Sequence, residues 1–139
     1  MIRIRLGYGL LGLAFLVDRL LKMINWLALE KGWLAQTVVN EKIISGLFFN
    51  RAISLIIVFI ILFILIFCFS RYPAERAWLA WLIAGAASNG WDRLIYGGVI
   101  DYWSWNYWPW VFNLADLMII GGLIWYLIKS HLARPAVIR

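Results

Sequence analysis

Charge is what this sequence has least of. Asp, Glu, Lys and Arg together make up 14% of 139 residues, where about 25% is usual for a soluble domain. Too little polar material remains to build a water-facing surface. That shortage excludes a disordered chain, a coiled coil and a soluble nucleic-acid module, despite a net charge of +6. Cysteine is equally scarce: Cys68 stands alone inside the most apolar stretch, so neither a disulfide framework nor a cysteine metal site is available. His131 is the single histidine and cannot build a multi-histidine metal site.

What is abundant is apolar. Ala, Val, Ile, Leu, Met, Phe, Trp, Tyr and Cys reach 65%, and 10 residues are Trp; an ordinary soluble domain is about 45 to 50% apolar on a slightly different count. The length leaves room for one domain, 1–139, and the composition makes it an integral membrane protein. The run AISLIIVFIILFILIFCFS, Ala52 to Ser70, carries no charge and is long enough to cross the roughly 30 Å of hydrocarbon as a helix. Three further stretches are long enough but hold polar residues: Leu6 to Leu29, Ala77 to about Tyr96, and Val111 to Ile128. The expected fold is therefore all-α with four transmembrane helices. No alternating pattern of about 10 residues recurs, which removes a membrane barrel.

Between the first two helices, 30–50 is too polar to span. Its TVV and ISGLFF pieces read as a small external strand-like or interfacial element. Met1 to Val17 resembles a cleavable leader, but Asp18, Arg19 and Lys22 follow where small cleavage-site residues belong, so it is kept as helix one. Basic residues set the orientation. Arg3, Arg5, Arg71, Arg76, Lys129, Arg134 and Arg139 all fall on one side, which places both termini in the cytoplasm. The opposite side receives the loop from Gly97 to Trp110, with Tyr102, Trp103, Trp105, Tyr107, Trp108 and Trp110 as an aromatic belt at the outer interface.

Of seven acids, Glu30, Glu41 and Glu75 lie in loops or at span edges. Asp18, Asp92, Asp101 and Asp116 lie within or beside spans, where an ionised carboxylate costs roughly 2.5 to 3.5 kcal/mol and marks a functional candidate. Asp18 and Lys22, four apart, form a helical pair that lowers the cost of burying both, in a structural or substrate-positioning role. Asn89 and Asp92 share a helical face, with Arg93 beside them, again as support. Asp116 is 13 residues from Lys129, hence about 20 Å above the cytoplasmic end. If the connection folds back, Asp101 meets it there. Two close carboxylates hold one proton between them, so one takes a proton from water while the other polarises a carbonyl. The spacing alone also admits an ion or proton pathway through a small transporter or channel. A noncatalytic scaffold presenting the Trp-rich loop is a third reading.

The residues around these acids resemble the signature blocks of the lipoprotein signal peptidases (signal peptidase II). An Asn-x-x-Asp-Arg element reads Asn89, Asp92, Arg93. A Gly-x-Val-x-Asp-aromatic element reads Gly98, Val99, Asp101, Tyr102, and a Phe-Asn-x-Ala-Asp element reads Phe112, Asn113, Ala115, Asp116. Asp18 with Lys22 matches an Asp-x-x-x-Lys element, and Asn40 the Asn that opens an external motif. The chain departs from the pattern at Lys42 and Ser45, at Ser88 for a common Gly, at Tyr102 for the usual Phe, and at Leu117 for a frequent Ser. The resemblance implies that Asp101 and Asp116 are a catalytic dyad and that Asn113, Asn89, Asp92 and Arg93 shape the site. It also implies that Asp18, Lys22 and Asn40 support substrate or architecture. The implied reaction removes the signal peptide from diacylglyceryl-modified bacterial prolipoproteins, cutting before the lipidated Cys, with no metal or organic cofactor. The expected enzyme is a monomer in the bacterial inner or plasma membrane. Its partners are lipids and a lipid-modified precursor, with no nucleic acid, and its site opens to the external side.

Overall fold

The computed structural model describes residues 2–32, 37–44, 47–48, 50–104 and 110–132. Four long helices form where the chain is nearly continuously apolar, because a helix satisfies its own backbone groups. They are α1, Ile2–Glu30; α2, Arg51–Arg71; α3, Arg76–Tyr96; and α4, Leu114–Leu132. Six short strands lie between them: β1, Val38–Asn40; β2, Lys42–Ile44; β3, Leu47–Phe48; β4, Val99–Asp101; β5, Trp103–Ser104; and β6, Val111–Phe112.

Local chemistry sets the helix ends. Asn50 caps α2 by accepting the Ile53 N–H on Oδ1 at 2.9 Å. Pro73, two residues beyond α2, opens a single 3-10 turn, Pro73–Glu75, before α3. Gly97 ends α3 in the left-handed region at φ 82°, donating its N–H to Arg93 O at 3.2 Å, a conformation that favours glycine.

Helix α3 is the hub and packs against α1, α2 and α4. Its approach to α4 is close because Gly85 has no side chain: a Cβ there would lie 2.5 Å from Ala115 O and 2.7 Å from Ile119 Cγ1. At the far end of the same antiparallel pair, Lys129 Nζ meets Glu75 Oε1 at 2.8 Å, while Trp78 Nε1 donates to Glu75 Oε2 at 2.5 Å. Those contacts tie the 3-10 turn to α4 and leave the opposite end of the helix pair to the polar cluster.

Burial is inverted relative to a soluble protein. Asp18, Lys22, Ser88, Asp92 and Asn113 have no exposed surface, whereas Phe63, Leu16, Ile56 and Phe59 are more than half exposed. Such an exterior suits hydrocarbon rather than water. Helices α2 and α4 are long and apolar enough to cross a membrane on length and composition. Helices α1 and α3 carry most of the buried charged residues.

Three antiparallel strand pairs fold the connections inward: β1 with β4, β2 with β3, and β5 with β6. The strand-like element expected between the first two helices is present as β1, β2 and β3. Helix four begins at Leu114 instead of Val111, because Val111 and Phe112 pair with Ser104 and Trp103 as β6. The segment read as a loop after Gly97 likewise holds β4 and β5. Trp103 and Trp110 are about half exposed; Trp105, Tyr107, Trp108, Ser45, Arg134 and Arg139 lie outside the described residues.

Candidate active site

The start of α4 organises the site. Asn113 stands just before the helix, and its Oδ1 accepts the Asp116 N–H at 3.0 Å while Asp116 Oδ2 accepts the Asn113 N–H at 3.1 Å. This is a reciprocal capping box, with Asp where Glu or Gln is usual. Leu114 N–H donates to the Tyr102 hydroxyl at 3.2 Å, and Ala115 N–H donates to Asp18 Oδ1 at 3.1 Å. A helix start leaves four N–H groups without partners inside the helix. Here side chains of three other residues and Asp116 itself take all of them, and two of the acceptors are carboxylates at the positive end of the helix dipole.

Asp101 reaches the same point from the other direction. In the β1–β4 register Val38 faces Asp101, so Asn40, two residues on, is its diagonal neighbour on the same face. Asn40 Nδ2 donates to Asp101 Oδ2 at 2.9 Å, and Asn113 Nδ2 donates to Asp101 Oδ1 at 2.6 Å. The β5–β6 pair closes the chain between the two aspartates, and Tyr102 N–H donates to Phe112 O at 3.2 Å. Asn113 therefore touches both carboxylates, one through its amide and one through its backbone. No direct hydrogen bond joins Asp101 to Asp116 among the described residues.

Asp101 is 2% exposed. Burial pushes its carboxyl up from 3.8 to about 6; the Asn40 amide opposes this, the Asp116 charge adds to it, and Asn113 and Lys22 pull it back down.

Beneath the two carboxylates lies an ionic cluster that fixes the amides. Lys22 Nζ lies 3.2 Å from Asp18 Oδ2 and 2.8 Å from Asp92 Oδ2, and donates to Asn89 Oδ1 at 2.7 Å. An ammonium only donates, so it must meet the oxygen of that amide, which turns Nδ2 toward Asp116 Oδ1 at 2.8 Å. Arg19 Nη1 pairs with Asp92 Oδ1 and also donates to Ser88 Oγ at 3.3 Å. Asp92 Oδ2 accepts the Ile100 N–H at 3.3 Å, which holds β4 down next to Asp101. Asp18 Oδ2 further accepts the Ser88 hydroxyl at 2.5 Å, and Asp18 Oδ1 the Tyr102 hydroxyl at 3.3 Å. Buried charges are tolerated when paired and hydrogen-bonded in this way.

All nine residues singled out in the sequence belong to this one cluster. Arg93 completes the set: it is buried in α3 one residue from Asp92, and its Nη1 donates to Asn89 O at 3.4 Å. Three members were not anticipated as site residues. Arg19 enters the sequence reading only as a charge that argues against a cleavable leader, and Ser88 and Tyr102 as departures from a pattern. The available signal for Arg19 was a third charge, beside Asp18 and Lys22, in the otherwise uncharged stretch Leu6 to Leu29.

Two solved bacterial membrane enzymes share the fold. One, at 2.3 Å by the in meso method, has a TM-score of 0.68 and 18% identity, covering 94% of this chain and 95% of that one. The other, at 1.9 Å by the same method, has a TM-score of 0.67 and 21% identity over 88% of this chain and 92% of that one. Curated relatives named lipoprotein signal peptidase include those of Vibrio parahaemolyticus serotype O3:K6 and Moorella thermoacetica. The first is 39% identical over 48% of this chain and 43% of the relative; the second is 37% identical over 63% and 61%. That of Dichelobacter nodosus is 47% identical over 37% of this chain and 35% of the relative. The chain thus matches between about a third and three fifths of those relatives' length. A profile of the family described as signal peptidase (SPase) II matches residues 10–132, nearly the whole chain, and the chain therefore belongs to that family.

Proposed function

We propose that this protein is an aspartic endopeptidase of the membrane that removes the signal peptide from diacylglyceryl-modified prolipoproteins, cutting before the lipidated Cys. The observation that carries the reading is Asn113, bonded to Asp101 at 2.6 Å and to Asp116 at 3.1 Å, which makes the two acids one unit. Charge supports it. The hydrogen-bonded cluster holds four acids, Asp18, Asp92, Asp101 and Asp116, and three cations, Arg19, Lys22 and Arg93. Four acids against three cations balance when one carboxyl keeps a proton, the state an aspartic dyad needs. Asp18 accepts three hydrogen bonds and pairs with Lys22, and Asp92 is held by two cations, so the retained proton belongs to the pair of Asp101 and Asp116.

The reaction then runs as follows. The ionised carboxyl takes a proton from water, the resulting oxygen nucleophile attacks the scissile carbonyl carbon, and the neutral carboxyl gives its proton to the carbonyl oxygen. The carboxyl that took the water proton then gives it to the peptide nitrogen, the other carboxylate takes a proton back from a hydroxyl of the tetrahedral intermediate, and the carbon–nitrogen bond breaks, which restores the starting state. The N–H groups at the α4 start are all engaged, so they do not serve as an oxyanion hole. The neutral carboxyl supplies that stabilisation.

The whole chain forms one membrane domain in this reading, and all four long helices span. Both termini are cytoplasmic, and the dyad sits near the outer boundary of a bacterial inner membrane. Asp116 in the first turn of α4 fits that depth, as does a substrate tethered by two acyl chains, whose confinement raises its local concentration. The enzyme acts as a monomer on precursor and lipid, with no cofactor. A conduit would string its acids along the membrane normal; here the four aspartates form one cluster around the start of α4. The test is cleavage of a lipidated and an unlipidated precursor by the purified protein in lipid. Processing of the lipidated one, with the cut before its modified Cys, supports the assignment. Equal processing of both defeats the lipid-dependent part, and processing of neither defeats the whole.

A further inference from the structure

We infer that Tyr102 is a positioning residue, whose hydroxyl locks the strand segment bearing Asp101 to the first turn of the helix bearing Asp116. The inference rests on the peptidase reading above. Tyr102 follows Asp101 directly, and its backbone is held by the bond from its N–H to Phe112 O at 3.2 Å. The ring is half-buried beside Trp103, with centroids 6.5 Å apart. A phenol has one proton to donate and lone pairs to accept with, and both capacities are used. The hydroxyl donates to Asp18 Oδ1 at 3.3 Å and accepts the Leu114 N–H at 3.2 Å.

Asp18 Oδ1 also accepts the Ala115 N–H at 3.1 Å. The result is a closed circuit: Leu114 to Tyr102, Tyr102 to Asp18, Asp18 to Ala115, and Ala115 back to Leu114 through their shared peptide bond. It joins α1, the turn after β4 and the first two residues of α4, with Asp116 next in sequence. Burial pushes the Tyr102 phenol above its ordinary value, so it stays neutral and keeps its proton for Asp18. Phenylalanine would fill the same space, yet it would leave Leu114 N–H without this acceptor and Asp18 with three of its four kinds of donor. The hydroxyl is committed to the scaffold on both sides and is not the proton source for the reaction. Its effect passes through the spacing of the two carboxylates, where small displacements cost much rate.

The experiment compares wild type, Tyr102→Phe and Leu114→Pro on a lipidated precursor in proteoliposomes, measuring kcat, KM and the pH profile per folded enzyme. Leu114→Pro removes the same bond from its donor side, at a first helical position where proline is tolerated. The expected result is a loss of about tenfold in kcat for each variant, KM within about twofold of wild type, and pH limbs displaced by about half a unit. Unchanged kcat and pH profile in Tyr102→Phe overturn the inference, even where the melting temperature falls. A raised KM with normal kcat overturns it too, since that marks a substrate contact. Asp101→Asn in the same assay separates the two readings. If it cleaves at the wild-type rate, the peptidase mechanism fails; if it is dead while Tyr102→Phe behaves as wild type, only the positioning role fails.

Discussion

Asn113 and Asp116 cap each other: the Asn113 side chain accepts the Asp116 N–H at 3.0 Å, and the Asp116 side chain accepts the Asn113 N–H at 3.1 Å. The same exchange that starts α4 orients the Asn113 amide, because its oxygen is taken by the helix and its nitrogen is left for Asp101 at 2.6 Å. The cap of α4 and the link between the two carboxylates use the same residue. A substitution that respects the cap can still disable the site.

Asn113→Asp makes that separation. Aspartate keeps the cap acceptor for the Asp116 N–H, but it buries a third carboxyl beside Asp101 and Asp116, so stability in detergent should fall by about 1 to 3 kcal/mol. The donor to Asp101 is lost and a third carboxylate takes its place. Turnover should fall about a hundredfold or more. Asn113→Ala should lose activity to a similar degree and about 1 kcal/mol of stability as well, measured by the unfolding midpoint.

The raised Asp101 value gives a pH signature. Burial is its largest cause and the Asp116 charge adds to it, so Asp101 takes up a proton as pH falls through about 6. Turnover should decline on the acid side once both carboxyls are protonated, since no base remains. It should decline on the alkaline side once both are ionised, since no acid remains. One limb should therefore lie near pH 6, and Asp116→Asn should lower the Asp101 titration by removing a repelling charge. Infrared titration of the carboxyl stretch reads this directly; an upward shift would contradict the coupling.

Lys22 is the residue whose loss should hurt folding most. It is fully buried and meets Asp18 and Asp92 at 3.2 and 2.8 Å. Lys22→Met should leave two buried carboxylates short of a cation and destabilise the protein by about 3 to 5 kcal/mol. Protease resistance and melting of the reconstituted protein measure this. Asp18→Asn in the same chain should recover part of the loss, because it removes one of the stranded charges.

Much of the fold was legible because long apolar runs form helices, and the uncharged run at Ala52 to Ser70 is long enough to cross hydrocarbon as one. The start of α4 was misread because Val111 and Phe112 are apolar and merge with the run that follows; only their pairing with Ser104 and Trp103 marks them as strand. The site acids were legible because an aspartate in an apolar segment needs a reason. Their connections were not. Asp18 caps a helix 97 residues further along, and Arg19 pairs with Asp92 at a separation of 73. No local spacing encodes such partners, so nothing near Arg19 pointed to Asp92 and nothing near Tyr102 pointed to Asp18.

The most direct measurement is turnover of a lipidated precursor by Asp101→Asn and Asp116→Asn proteins that bind it as tightly as wild type does. Each change removes one carboxyl while keeping a polar side chain of nearly the same shape. The dyad predicts that either variant alone slows cleavage by at least about a thousandfold. Cleavage by either variant within about tenfold of the wild-type rate would contradict it.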